Sequence, residues 1–363
     1  MFGHAEGKDV AESLLLTIQE DATIPLKNFI SMGSDGPNVN KTIWNCLNES
    51  LKGKGLPGLL EFKPCTIHSV YNAFKQGLQV YGQQAEQLAL DVFYWFRAHP
   101  CRKEDFFDTQ LGLELDEEFF LGHVQCRWLT LLLSLHRIIK NWEPLKKYFL
   151  TDAPRKAREE RTERVLQNNE TYKRICNAVR GTDVLLQIHF LISIKEVFDR
   201  ILSILQRQEP LIHILHEECL NLVKTLQRRF LKTDAIEKSS RELLKMDVKE
   251  KVIQCGDNEL QVGEETRKVL GKLTPDQQKL PMKNIRSFLQ EVSRYLLSHL
   301  PIVDRLIMTC LLYTHFSRKL QIHRNVSGGL RRLYHESVMM MRLQALSTNG
   351  RCTSMKTSLM ILL

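Results

Sequence analysis

Residues 29–36, Phe29-Ile30-Ser31-Met32-Gly33-Ser34-Asp35-Gly36, decide how the rest of the chain is read. A short apolar run ending in Ser-Asp-Gly has the form of a buried strand that delivers a polar side chain to its C-terminal edge. Upstream, residues 6–20 (EGKDVAESLLLTIQE) carry Val10, Leu14 and Ile18 at i, i+4, i+8 and predict an amphipathic helix with acidic first turns. Downstream, residues 38–51 return to helical period with Asn38 as the expected N-cap. Gly53, Gly55, Pro57 and Gly58 mark a loop, and LLEFKPCTIHS at 59–69 reads as a second short strand whose regular part precedes Pro64. Two strands are not independently stable unless helices cover them, so this beginning is expected to be part of a larger α/β unit.

Beyond residue 70 the pattern becomes helical. A helix is predicted to run from 69 to 98 and end before Pro100, and one or two more over 117–150, with Pro144 as the kink or break. The charged stretch 154–180 predicts an exposed helix or connector, and 183–208, apolar on several faces, a buried helix. Ile212, Leu215, Cys219, Leu222, Leu226 and Phe230 recur at steps of three and four, giving a one-faced helix. Residues 231–283 are polar, contain Gly256, Gly263, Pro275 and Pro281, and predict a long linker with some helix. Residues 284–324 return to helix, interrupted at Pro301, and the end (MKTSLMILL) is expected to fray. The expected organisation is mainly α with a small α/β part: 1–116 α/β, 117–325 helical, 326–363 a poorly ordered basic tail.

With 363 residues, 43% hydrophobic and 26% charged, the composition is that of a globular chain large enough for a buried core. No apolar window predicts a membrane span, and Met1–Glu20 lacks the basic and apolar regions of a secretion signal. The nine cysteines are therefore expected to be reduced thiols inside the cell. The net charge of +9 is unevenly placed. Residues 1–279 hold 39 basic and 39 acidic side chains, whereas residues 280–363 hold 12 and 3. A segment of that sign attracts polyanions and releases their counterions, although charge runs more often form solvated faces.

Several residues carry potential chemistry. Asp35, at a strand end before Gly36-Pro37, is placed either to hold a divalent cation or to form a turn or N-cap. Cys65-x-x-His68 and His123-x-x-Cys126 are each spaced like half a zinc site, and His99 and Cys101 add a third pair. The alternative is that these cysteines are small core residues with their histidines paired elsewhere. Arg127-Trp128 opens an apolar helix, where Trp stacks on an unpaired base beside an Arg–phosphate contact, or else anchors the core. No phosphate-binding loop, dinucleotide fingerprint, nucleophile elbow or zinc-protease motif is present.

Four strings, in this order, resemble one family: MGSDGPNVNKTIWNCLN (32–48), PCTIHSVYNAFKQGL (64–78), FRAHPCRKEDF (96–106) and FLGHVQCRWLTLLLSLHRIIKNWEPLKKYFL (120–150). Together they are similar to transposase-like proteins of the hAT superfamily, including domesticated relatives, and LPIVDRLIMTCLLYTH (300–315) resembles a later family segment. The resemblance spans residues 1–325. It implies an RNase H-like core followed by a large all-helical insertion, and three acidic residues that bind two divalent cations for DNA strand cleavage and transfer.

Ser34-Asp35-Gly36 matches the motif of the second acidic residue, Cys65 and His68 match a Cys-x-x-His motif, and Arg127-Trp128 match an Arg-Trp motif whose ring holds an extruded base. The first catalytic Asp and the zinc-finger module have no match, Glu336 is the only acidic residue after Asp304, and its surroundings do not fit the family's final Glu. One acidic residue of three does not assemble two metals. The resemblance thus implies an incomplete RNase H-like core in a transposase-derived nuclear protein without strand-transfer activity, needing no cofactor. Mg or Mn enters only if activity is retained. DNA is the expected partner, through His68, Arg127 and Trp128 and through the basic residues Arg318, Lys319, Arg324, Arg331 and Arg332. The alternatives are a nuclease completed by a related transposase chain and a helical scaffold offering the face of 183–230 to a protein partner.

Overall fold

The computed structural model describes residues 6–21, 25–29, 31–34, 38–60, 63–123, 128–207, 211–303, 340–343 and 359–362. The chain is mainly helical with a small α/β part, and it divides into two compact bodies. The first comprises residues 1–69, 202–220 and 299–363, the second 70–201 and 221–298. The boundary expected at 116 falls inside the second body. Among the described residues no helix is long and apolar enough to cross a membrane.

In the first body, α1 (Gly7–Leu16) continues as a wider π turn through Asp21, and β1 (Ser31–Ser34) leads to α2 (Asn38–Gly53). The core gathers Ala11, Leu15 and Ile18 against Ile43, Leu47 and Leu51, together with Phe29 and Met32. Val10 and Leu14, expected at the centre of the buried face, lie half-buried at its margin. The second strand begins later than predicted. Among the described residues β2 is Lys63–Pro64, Leu59 and Leu60 lie outside it, and α3 (Thr66–Val80) starts two residues later. Pro64 has no N–H to extend a ladder, which ends the strand where the polar residues of a helix start begin. β1 and β2 run parallel, with Gly33 opposite Lys63 and Ser34 opposite Pro64. In the stretch expected to be a frayed tail, β3 (Met340–Leu343) and β4 (Leu359–Leu362) pair antiparallel, and β4 pairs antiparallel with β1.

The second body begins within α3. The single helix predicted for 69–98 is two, α3 and α4 (Gln83–Arg97), parted at Tyr81-Gly82. Gly82 has φ +135°, and a Cβ there would come within 2.7 Å of Leu78 and 3.2 Å of Leu191, so glycine is required by both backbone and space. α5 (Pro100–Leu111) follows, and then residues 115–123 form an extended strap rather than the predicted helix. α6 (Trp128–Lys140) and α7 (Trp142–Lys147) are separated at Asn141. Pro144, expected to break the helix, sits in the first turn of α7, where its missing N–H has no intrahelical partner to lose.

The charged stretch folds as α8 (Ala153–Glu159), α9 (Glu163–Asn168) and α10 (Glu170–Arg180). Of these, α10 buries Tyr172, Ile175, Cys176 and Val179. The buried helix predicted for 183–208 is α11 (Thr182–Leu205), and the one-faced helix is α12 (Ile212–Gln227), which buries Cys219, Leu222, Val223 and Leu226. The face proposed for a protein partner is thus occupied by the chain's own core.

The linker predicted for 231–283 is instead packed structure. It holds α13 (Thr233–Ile236), α14 (Ser240–Lys245), α15 (Glu264–Leu270) and the start of α16 (Pro275–His299). Backbone bonds tie it down, Cys255 N–H to Phe230 O at 3.0 Å and Gln261 N–H to Arg229 O at 2.8 Å, and Leu243, Val248, Leu260 and Val262 are buried. Single apolar residues spaced without period anchor such a segment, which is why periodicity did not find it. Pro281 lies inside α16, because the stripe Met282, Ile285, Phe288, Leu289 and Val292 packs the helix into the core from that point on. Phe74 of α3 meets Phe198 of α11 and Phe288 of α16 edge-on, at 5.5 and 5.8 Å between ring centres. A second aromatic group forms where Phe120 of the strap stacks on Phe96 of α4 at 5.4 Å.

Candidate functional site

Two of the four strings quoted above meet at the end of β1. The Cys65 N–H donates to Ser34 O at 2.7 Å, which places the first residue of Cys65-x-x-His68 beside the last residue of β1. Cys65 is buried and precedes the first turn of α3, where its carbonyl accepts the Ser69 N–H. Burial pushes the Cys65 thiol up. The side-chain hydrogen bond with His68 and the N–H groups of His68 and Ile67 outweigh it, so the thiol lies below its usual value. Cys65 and His68 therefore engage each other. Asp35, the next residue after Ser34, lies outside the described residues, so its relation to this pair is not placed.

The last two strings, 96–106 and 120–150, lie in the second body, where the strap runs antiparallel along α6. Its root is fixed by Gln110, whose Nε2 donates to Glu118 O at 3.2 Å and to Asn141 Oδ1 at 2.6 Å. Glu118 itself forms ion pairs with Arg137 at 3.4 Å and with Lys140. Above it the contacts alternate. Arg137 Nη1 donates to Phe119 O at 2.9 Å, Ser134 Oγ donates to Leu121 O, and His123 Nδ1 lies 3.0 Å from Thr130 Oγ1. Two residues of extended chain advance about 6.6 Å and three to four residues of helix about 4.5–6 Å, so the two repeats stay in step. Phe120 faces the opposite way, into the aromatic core, and a Cβ on Gly122 would come within 2.9 Å of the Phe93 ring. Glycine lets the strap lie that close.

His123 ends this ladder. Its side chain is 1% exposed, and its Nε2 lies 3.2 Å from Glu86 Oε1 on α4. Nε2 faces the Glu86 carboxylate and Nδ1 the Thr130 hydroxyl, which can donate or accept. Both ring nitrogens thus have partners on other elements, the alternative weighed for this histidine, and the residue joins α4 to α6; Cys126 lies outside the described residues.

Of the other predicted site residues, Trp128 is the first residue of α6. Arg127, Cys126, Arg318, Lys319, Arg324, Arg331 and Arg332 lie outside the described residues. His99 is exposed at the N-cap of α5, and Cys101 is exposed in its first turn. Among the described residues no group of three or more His, Cys, Asp or Glu side chains converges as a metal site requires. Cys65 and His68 have no third ligand beside them among the described residues.

Sequence reasoning missed Glu86, Thr130, Ser134 and Arg137. A signal existed: in the leucine-rich WLTLLLSLHRIIK, the polar residues Thr130, Ser134 and Arg137 fall at i, i+4, i+7, one stripe of α6. A polar stripe on an apolar helix needs partners, and the strap supplies them. Compared with known protein families, curated proteins and solved structures, the chain matches none.

Proposed function

We propose that the chain is a transposase-derived nuclear protein that acts by binding nucleic acid, without strand-transfer chemistry of its own. Its α/β part is read as an incomplete RNase H-like core and its helical remainder as the family's insertion. The observation that carries this reading is the bond between Cys65 and Ser34. It brings two strings that are well separated in sequence to one strand end, as a family built around that edge requires.

The affinity in this reading comes mainly from the basic C-terminal segment, where Arg318, Lys319, Arg324, Arg331 and Arg332 lie. Replacing these five by Ala is expected to flatten the salt dependence of DNA binding, measured by filter retention, by roughly one unit of slope for each phosphate no longer neutralised. An unchanged slope assigns the binding elsewhere.

A nuclease completed by a related chain is the second reading, and the retained Asp35 motivates it. It requires Mn-dependent cleavage of transposon-end DNA that disappears in Asp35→Asn. Absence of cleavage at high protein concentration rejects it.

A further inference from the structure

We propose that a groove in the second body binds a small planar aromatic anion, seated against Trp142 with its charge toward Lys272. The site lies wholly in that body and does not depend on nucleic-acid binding. The groove has a volume of about 530 Å³, inside the roughly 300–1,000 Å³ of small-molecule sites. Three helical parts line it. The step from α6 to α7 contributes Ile139 and Trp142. From α11 come Leu185 and His189, one turn apart on one face. From α15 and the turn after it come Glu265, Lys268, Val269 and Lys272, whose spacing of i, i+3, i+4 and i+7 makes a single stripe.

Which of these groups are already engaged decides how a ligand sits. Trp142 is 9% exposed. Its indole N–H has no hydrogen-bond partner among the described residues, although a buried indole N–H ordinarily finds one. With Ile139, Leu185 and Val269 it gives the groove an apolar, partly aromatic lining that carries one open donor. The His189 ring likewise makes no hydrogen bond to a described residue. Burial holds its imidazole below the usual value against the pull of Glu265, so at neutral pH it adds a donor and an acceptor rather than a charge.

The ion pairs set the sign. Lys268 is held by Glu264 at 2.9 Å and by Glu265 at 2.7 Å. The Glu265 carboxyl lies below its usual value chiefly through its hydrogen bond with Lys268, and Lys272 adds only a small attraction. The Lys272 ammonium makes no ion pair or hydrogen bond among the described residues. It is the uncommitted charge at the rim. A monoanion pairs with it directly, whereas a cation has to displace Lys268 from its carboxylates. A flat aromatic body covers the apolar lining and brings an acceptor within reach of the Trp142 indole N–H.

The probe is 2-naphthoate, a flat ring system with one carboxylate, and 2-naphthylmethanol is its neutral counterpart. The full chain is labelled with 5-fluorotryptophan, and the resonance of Trp142, one of four tryptophans, is assigned with Trp142→Phe. The naphthoate is expected to shift that resonance saturably with a Kd of about 1 mM or tighter, while those of Trp44, Trp95 and Trp128 stay in place. The alcohol is expected to bind about two- to fivefold more weakly, the effect of one exposed ion pair. Lys272 is exposed, so Lys272→Met keeps the fold. It is expected to abolish the preference for the anion and to leave the affinity for the alcohol unchanged. If Trp142→Phe fails to fold, equilibrium dialysis of both probes against the wild type and Lys272→Met makes the same comparison without an assignment. Absence of saturable binding, a shift shared equally by several tryptophans, or a preference for the anion that survives Lys272→Met overturns the proposal.

Discussion

Arg161 has φ +57°, the left-handed region that a side chain rarely enters. It follows α8, where the Thr162 N–H reaches back to Ala157 O at 2.8 Å, the closing bond of a helix C-terminus. Glycine suits that position better than arginine. Arg161→Gly is therefore expected to raise the denaturant midpoint, by about 1 kcal/mol in unfolding free energy. Gly82→Ala is expected to lower it, since Gly82 combines φ +135° with crowding by Leu78 and Leu191. The thiols give a second residue-scale outcome. Cys219 is wholly buried and pushed up to about 12 by that burial, while Cys101 is exposed. Iodoacetamide on the native protein should modify Cys101 early and Cys219 only on unfolding, with mass spectrometry of the peptides as the check. Early labelling of Cys219 would contradict the packing of α12.

At the scale of elements, the strap and α6 hold each other through groups that titrate. A hydrogen bond from Lys140, helped by Arg137, holds the Glu118 carboxyl below its usual value. A carboxyl depressed in the folded state stabilises it above the unfolded pKa, and that contribution is lost as the pH falls through the folded value. Acidification into and below the ordinary glutamate range should therefore speed amide exchange in residues 117–123. Glu118→Gln should remove the pH dependence. A closer helix contact makes a steric counterpart. A Cβ on Gly77 of α3 would come within 2.5 Å of Val292 and 2.7 Å of Phe288 on α16, so Gly77→Val is expected to cost about 1–3 kcal/mol by overpacking.

These elements also show what the sequence discloses. The long periodic helices α2, α11 and α12 were legible because each repeats its apolar residues over several turns. The strap was not, because an extended chain pinned by carbonyls leaves no period, and its partners Thr130, Ser134 and Arg137 look like ordinary polar exceptions on a leucine helix. The segment 231–283 was hidden for a related reason: its anchors Leu243, Val248 and Leu260 act singly, and Pro281 suggested a break that the surrounding core overrides. His123 pointed to zinc because its spacing to Cys126 is visible in sequence and the distant Glu86 is not.

At the scale of the whole molecule, charge is the organising quantity. The neutral total of residues 1–279 hides two opposed blocks. Residues 99–126 hold 2 basic and 7 acidic side chains, and residues 127–180 hold 13 and 6. In the second body these blocks partly cancel each other, through Glu118 with Arg137 and Lys140 and through Asp105 with Lys156. Much of the positive charge on α6 and α8 is thus engaged within the fold, which leaves the C-terminal segment as the main source of attraction for a polyanion. In the proposed nucleic-acid reading the two are given separable tasks: the Arg127-Trp128 string would read an unpaired base and the basic segment would supply sequence-independent affinity.

The most direct test of this division is the DNA affinity of the full chain against salt. Retention of DNA on filters is expected to weaken steadily as NaCl rises from about 50 to about 200 mM, with a log–log slope near −0.9 for each phosphate neutralised. No binding at the lower salt concentration, or an affinity that salt leaves unchanged, would contradict it.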